Sequence, residues 1–127
     1  MANNINVQVS MQSNVDNFSA TVRTQVSQNT TSSNAYGGST DVTSSAWTAL
    51  SLGSLDDVRY FTAWNDNTVY SSSIIAVATG SGGGNLIGIL KPGDGLAMPW
   101  SGSLVSLYAK VLSGDINGVV QYVVQQS

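Results

Sequence analysis

Two-residue alternation is the feature that most constrains this chain. Ile5, Val7, Val9 and Met11 alternate with Asn6, Gln8 and Ser10, and Phe18, Ala20, Val22 and Val26 alternate with Ser19, Thr21, Arg23 and Gln25. A period of two puts every second residue on the same face of an extended strand, so each run reads as a strand with one apolar and one polar side. The intervening Ser13-Asn14-Val15-Asp16-Asn17 is rich in turn residues, and the two runs are predicted to form one long antiparallel hairpin. From Asn29 to Ser39 the chain is mostly Asn, Thr, Ser and Gly around a lone Tyr36. That segment predicts a loop, or an arm that orders on contact with a partner.

Short runs separated by turn signals fill the rest. Ala46–Leu52 stops at Gly53, Val58–Trp64 at Asn65-Asp66-Asn67, and Val69–Thr79 at the glycine-rich stretch 80–84. Leu86–Leu90 stops at Lys91-Pro92-Gly93-Asp94-Gly95, and Leu96–Trp100, Leu104–Leu112 and Val119–Gln125 follow. With no helical stripe of comparable strength, this spacing predicts an all-β chain of about nine strands, folded as an antiparallel two-sheet β-sandwich or jelly-roll-like domain. The 127 residues suit one domain. We expect the hairpin and polar loop, or arm, over residues 1–40 and the sandwich body over 41–127.

Composition narrows the chemistry. The chain has no His and no Cys, and all seven acidic residues are Asp. Missing His and Cys remove the commonest general base, the imidazole and thiolate metal ligands, and disulfides. Only 9% of residues are charged, against about a quarter in typical domains. The four cations, Arg23, Arg59, Lys91 and Lys110, are scattered, which argues against a nucleic-acid surface. No apolar run approaches the roughly 20 residues of a membrane-spanning helix, and Met1–Ser10 lacks the basic region of a secretory signal. The expected setting is a cytoplasm as the place of synthesis, with no membrane partner.

Each candidate for chemistry has a simpler structural explanation. Asp56 and Asp57 are adjacent carboxylates, but neighbours on a strand point to opposite faces, whereas a glycosidase needs both in one cleft. Ser101-Gly102-Ser103 has no partner at meaningful spacing for Lys91 or Lys110, and a tight turn accounts for it. Gly80–Gly84 is followed by no helix and closed by no Gly-Lys-Ser/Thr, so it reads as a surface excursion between strands. Asp94-Gly95 and Asp115-Ile116-Asn117-Gly118 are fragments of calcium loops without the remaining ligands, and they read as hairpin turns. The expectation is a protein with no catalytic residues, no metal site and no cofactor.

Some strands are apolar on both sides, notably Ile74-Ile75-Ala76-Val77-Ala78 and Leu104–Leu112. Either they lie deep in the sandwich or another copy covers one face. A surface this poor in charge also lacks the Lys and Glu that keep sheet edges apart. Among the aromatics, Trp64 and Trp100 end their predicted strands. With Tyr36 and Tyr108 they are the candidate interface residues, as anchors between subunits or as a sugar-stacking platform.

The order of segments adds a resemblance. Ile5-Asn6-Val7-Gln8-Val9 and a Thr/Ser-rich loop precede Trp47-Thr48-Ala49-Leu50-Ser51-Leu52-Gly53 and Val58-Arg59-Tyr60-Phe61-Thr62-Ala63-Trp64-Asn65. Ile87–Leu90 with Lys91-Pro92-Gly93-Asp94, Leu107-Tyr108-Ala109-Lys110 and Val119-Val120-Gln121-Tyr122-Val123 follow. This pattern resembles small tailed-bacteriophage virion proteins of the capsid decoration (cement) or minor structural type. The resemblance implies a β-sandwich on the capsid surface of the virion, commonly a homotrimer, bound to the major capsid protein and tying neighbouring capsomers together. Two alternatives stand beside it: a receptor- or carbohydrate-binding module of a tail or fibre, and a tail or head-completion subunit.

Overall fold

The computed structural model describes residues 3–15, 18–30, 35–53, 55, 58–80, 82–99 and 106–126. Among them it contains ten strands and no helix. The chain divides into two compact units, Met1–Ser33 and Asn34–Ser127.

The first unit is the expected hairpin. Strands β1 (Asn3–Val15) and β2 (Phe18–Thr30) pair antiparallel over their whole length, from Asn3 opposite Thr30 to Val15 opposite Phe18. At about 3.4 Å per residue the ribbon is roughly 44 Å long. Its register sets Val7 opposite Val26, Met11 opposite Val22 and Val15 opposite Phe18. Ile5, Val7, Val9, Met11 and Val15 are thus in register with Gln28, Val26, Thr24, Val22 and Phe18.

The second unit is a two-sheet β-sandwich. Its strands are β3 (Ala35–Thr43), β4 (Thr48–Leu50), β5 (Val58–Asp66), β6 (Ile74–Thr79), β7 (Asn85–Leu90), β8 (Gly95–Pro99), β9 (Leu107–Ser113) and β10 (Asn117–Gln126). They form two antiparallel sheets of strand order β3-β10-β5-β8 and β4-β9-β6-β7. Apart from the β6–β7 hairpin, consecutive strands lie in opposite sheets. Late strands are inserted between early ones, with β10 between β3 and β5 and β9 between β4 and β6. This is the eight-stranded jelly-roll order.

Alternation builds the core between the sheets. Val120, Tyr122 and Val124 of β10 pair with Asn65, Ala63 and Phe61 of β5. They meet Ile75 and Val77 of β6 and Leu107, Ala109 and Val111 of β9 in one buried cluster, closed by Val42, Leu50, Val58 and Leu90. Each fully buried residue of the size of Phe61, Ile75 or Leu107 contributes roughly 1.5–3 kcal/mol relative to exposure. Among the described residues the polar side chains of Asn65, Asp66 and Ser73 are also buried.

The structure corrects several expectations. Ten strands replace nine because Ala35–Ser39, read as the end of a loop, is the start of β3. This edge strand pairs with β10 from Ala35 opposite Gln125 to Thr43 opposite Asn117. Its Gly37, Gly38 and Ser39 show no alternation, and β10 supplies the pairing that local sequence does not. Only Ile74–Thr79 of the long run from Val69 is strand; the residues before it turn. The Asp-Gly and Asn-Gly pairs at 94–95 and 117–118 are not hairpin turns either. The positive φ angles fall one or more residues earlier, at Gly93 (84°) and Gly114 (91°), and both turns carry the chain from one sheet to the other. At the first, Asp94 N–H donates to the Lys91 carbonyl (2.9 Å) and the Asp94 carboxylate accepts from Lys91 N–H (3.1 Å). With Pro92 and Gly93 between, this is the residue order of a type II turn.

Candidate functional site

The outer face of the β3-β10-β5 surface carries the candidate site. Pairing aligns Ser39, Gln121, Trp64 and Gly95 in one row across four strands, and Gly37, Val123, Thr62 and Ala97 in the next. Over these rows lies an open depression of roughly 610 Å³, lined among others by Gly37, Ser39, Thr62, Trp64, Gln121 and Val123. Gly37 keeps its floor bare. A Cβ there would stand 2.5 Å from the Tyr122 carbonyl oxygen, so the strands approach closely because this residue has no side chain.

Trp64 is half-buried at the rim and its orientation is fixed. Its indole Nε1–H donates to the Gly93 carbonyl at 3.1 Å. The turn holding that carbonyl is itself tied to β5, because Asn65 N–H donates to Asp94 O (2.9 Å) and Gly93 N–H donates to Asn65 O (3.1 Å). The exposed Gln121 is held from the neighbouring row of the same face, its Nε2 donating to Asp66 Oδ2 at 2.7 Å. The other carboxylate oxygen of Asp66 accepts from the Thr68 hydroxyl (2.6 Å) and the Thr68 N–H (3.0 Å). The Thr68 hydroxyl and backbone bonds, with a smaller contribution from Gln121, hold the Asp66 carboxyl below the usual carboxylate range against the opposing effect of burial. It is therefore an anion at neutral pH, with its oxygens already engaged by neighbours rather than offered to a proton-transfer partner.

A second surface lies on the opposite side of the sandwich. On the outer face of β4-β9-β6-β7, Ala49, Tyr108, Ala78 and Leu86 align across four strands, and Lys110, Ala76 and Ile89 align beside them. Leu86, Ile89 and Leu112 are 56%, 52% and 48% exposed. Lys110 is the one charged residue in these rows. Ala76 and Ala78 are fully buried even though they alternate with the core residues Ile75 and Val77. That accounts for the two-sided apolar run: small residues in a central strand are covered by larger neighbours on the adjacent strands.

The candidate interface aromatics do not converge. Trp64 and Tyr108 belong to the outward faces of different sheets. Tyr36 is partly exposed near the start of β3, in the pairing row of Val124, and its ring lies against Gly53. Trp64 is not at a strand end, since β5 continues to Asp66. Trp100 lies outside the described residues, as do Asp56, Asp57 and Ser101-Gly102-Ser103. Asp94 serves its own turn, and Asp115 accepts from the Ser72 hydroxyl at 3.0 Å. The contributions of Gln121, Ser39 and Thr62 had no signal in the sequence, because only pairing of distant strands brings them beside Trp64. No protein-family model, no curated protein and no solved structure matches the chain.

Proposed function

We propose that this chain is a non-catalytic structural subunit of a tailed-bacteriophage virion. It sits on the outside of the head as a decoration protein, contacting further copies of itself and the major capsid protein. The observation that carries this reading is the outer face of the β4-β9-β6-β7 sheet. There Leu86, Ile89, Leu112 and Tyr108 stand exposed or half-exposed around the buried Ala76 and Ala78, and among the described residues of these rows Lys110 alone bears charge. Exposed large apolar side chains gathered on one sheet face suit a surface that meets another protein.

Two further features support the reading. A two-stranded hairpin by itself is marginally stable in water, so a ribbon of two 13-residue strands, the first alternating Ile5, Val7, Val9 and Met11 with polar residues, gains from packing against another surface. The jelly roll itself is an architecture that capsid proteins use, although fold does not fix function. A subunit docking on a preformed shell must offset the loss of its translational freedom, and a trimer does so through several contacts made together.

The test is co-sedimentation with expanded phage heads, alongside light scattering of the free protein. The expected result is a homotrimer that pellets with the shells and protects them from heat. The Ile89→Lys and Leu112→Lys variants, whose side chains are already solvent-exposed, are expected to stay folded and lose that binding. A monomer with no affinity for heads overturns the reading.

A further inference from the structure

We propose that the depression on the β3-β10-β5 face is a binding site for a neutral saccharide. The inference rests on this site alone and does not depend on where the protein resides. At roughly 610 Å³ the depression falls within the range of about 300–1,000 Å³ typical of small-ligand sites. The chemistry of its lining selects the ligand class. The lining includes the hydroxyl residues Ser39 and Thr62, the amide of Gln121, the indole of Trp64 and the bare backbone of Gly37. None of the lining residues is charged.

A sugar ring matches that set. Its C–H face is apolar and packs on an aromatic ring, while its hydroxyls both donate and accept, as Ser, Thr and Gln side chains require. Two side chains are fixed in advance, which lowers the ordering cost of binding. Trp64 is held through Gly93 and Gln121 through Asp66. The bond from Gln121 Nε2 to the Asp66 carboxylate uses one amide hydrogen and leaves Oε1 as an acceptor for a ligand hydroxyl.

Charge excludes the neighbouring ligand classes. Asp66 and Asp41 flank Val119 in the row next to Gln121. Asp66 is ionised at neutral pH and none of the lining residues is a cation, so a phosphate or a sialic acid carboxylate entering the depression meets a nearby negative charge. A nucleotide would stack on Trp64, but its phosphates face the same repulsion. A purely apolar ligand would leave Gln121 and the two hydroxyls without partners.

The experiment follows the tryptophan indole N–H signals of the full ¹⁵N-labelled chain by NMR. Neutral gluco-, manno- and galacto-oligosaccharides are titrated in, with a sialylated oligosaccharide as the anionic comparison. One neutral class is expected to shift the Trp64 indole signal, with a Kd from tens of micromolar to about a millimolar. Binding should weaken at least about tenfold in Trp64→Ala, which removes the stacking ring. It should vanish in Thr62→Tyr, which fills the depression from an exposed strand position and suits a β-strand. No shift of the Trp64 signal with any neutral oligosaccharide at about 10 mM overturns the proposal. So does tighter binding of the sialylated ligand, or binding that survives both substitutions. The wild-type titration decides the question even where a variant fails to fold.

Discussion

The phenol of Tyr122 donates to the main-chain carbonyl of Ser51 at 2.7 Å, joining a central strand of one sheet to the segment that leaves the edge strand β4 of the other. Burial raises the Tyr122 pKa above its ordinary value of 10.0; Tyr36 adds to the rise, and the bonds to Thr40 and Ser51 offset part of it. Tyr122→Phe is expected to lower stability by about 1–2 kcal/mol at neutral pH, because a part-buried hydrogen bond between the two sheets is lost. The sign of the pH effect follows from the raised value. The contribution of the neutral phenol is complete below pH 10.0 and is lost as pH rises through the higher folded pKa. Urea denaturation at neutral and strongly alkaline pH checks this, and the gap between wild type and variant should narrow at the alkaline end.

Asn65 is fully buried, and its amide nitrogen donates to two carbonyls, Ser73 O at 2.7 Å and Leu90 O at 3.0 Å. It thereby fastens the end of β5 to the approach to β6 and the end of β7. Asn65→Ala removes both donors and should cost about 2–5 kcal/mol. Asn65→Asp should cost more at neutral pH, because it sets a buried anion against two carbonyl oxygens. Burial raises that carboxyl's pKa, so the Asp variant alone should regain stability as pH falls and the acid becomes a donor. Chemical denaturation from neutral to mildly acidic pH separates the two.

Asp66 makes a complementary pH prediction. Its lowered pKa means that its contribution is present above the ordinary Asp value of 3.8 and is lost as pH falls through the lower folded value. Asp66→Asn should flatten this part of the acid limb of the stability profile. Acid titration of wild type and variant, followed by tryptophan fluorescence, reads it directly.

Gly80 and Gly114 share a positive φ, 87° and 91°, but differ in surroundings. A Cβ on Gly80 meets nothing within 4 Å, whereas one on Gly114 would lie 1.9 Å from the Ser72 carbonyl oxygen. Gly80→Ala should cost about 1 kcal/mol, the conformational penalty alone. Gly114→Ala should cost about 3–5 kcal/mol, because main chain must also move. Paired thermal melts test the difference.

The hairpin and most of the sandwich strands were legible because alternation is written locally, as in Ile5-Asn6-Val7-Gln8-Val9. The turn at Lys91-Pro92-Gly93-Asp94 was legible because Pro and Gly restrict the backbone at those positions. β3 was not, since Gly37 and Gly38 carry no pattern and become strand only by pairing with β10. The apolar run at Ile74–Ala78 showed that both faces are covered without saying by what; Tyr108 and Ile89, distant in sequence, flank it. The depression beside Trp64 was equally hidden. It depends on residues 37, 62 and 121 falling into adjacent rows, which sheet order decides and local sequence does not.

The place of β10 sets when this protein can finish folding. Val120, Tyr122 and Val124 fill the middle of a sheet whose other three strands are all synthesised earlier. On a ribosome the earlier strands emerge with β3 and β5 lacking the strand that joins them. The core cannot close until β10 has cleared the exit tunnel. During that interval unpaired edges and apolar faces are open to neighbouring chains. Folding is then expected to be slow, with crowding of nascent chains as its main hazard.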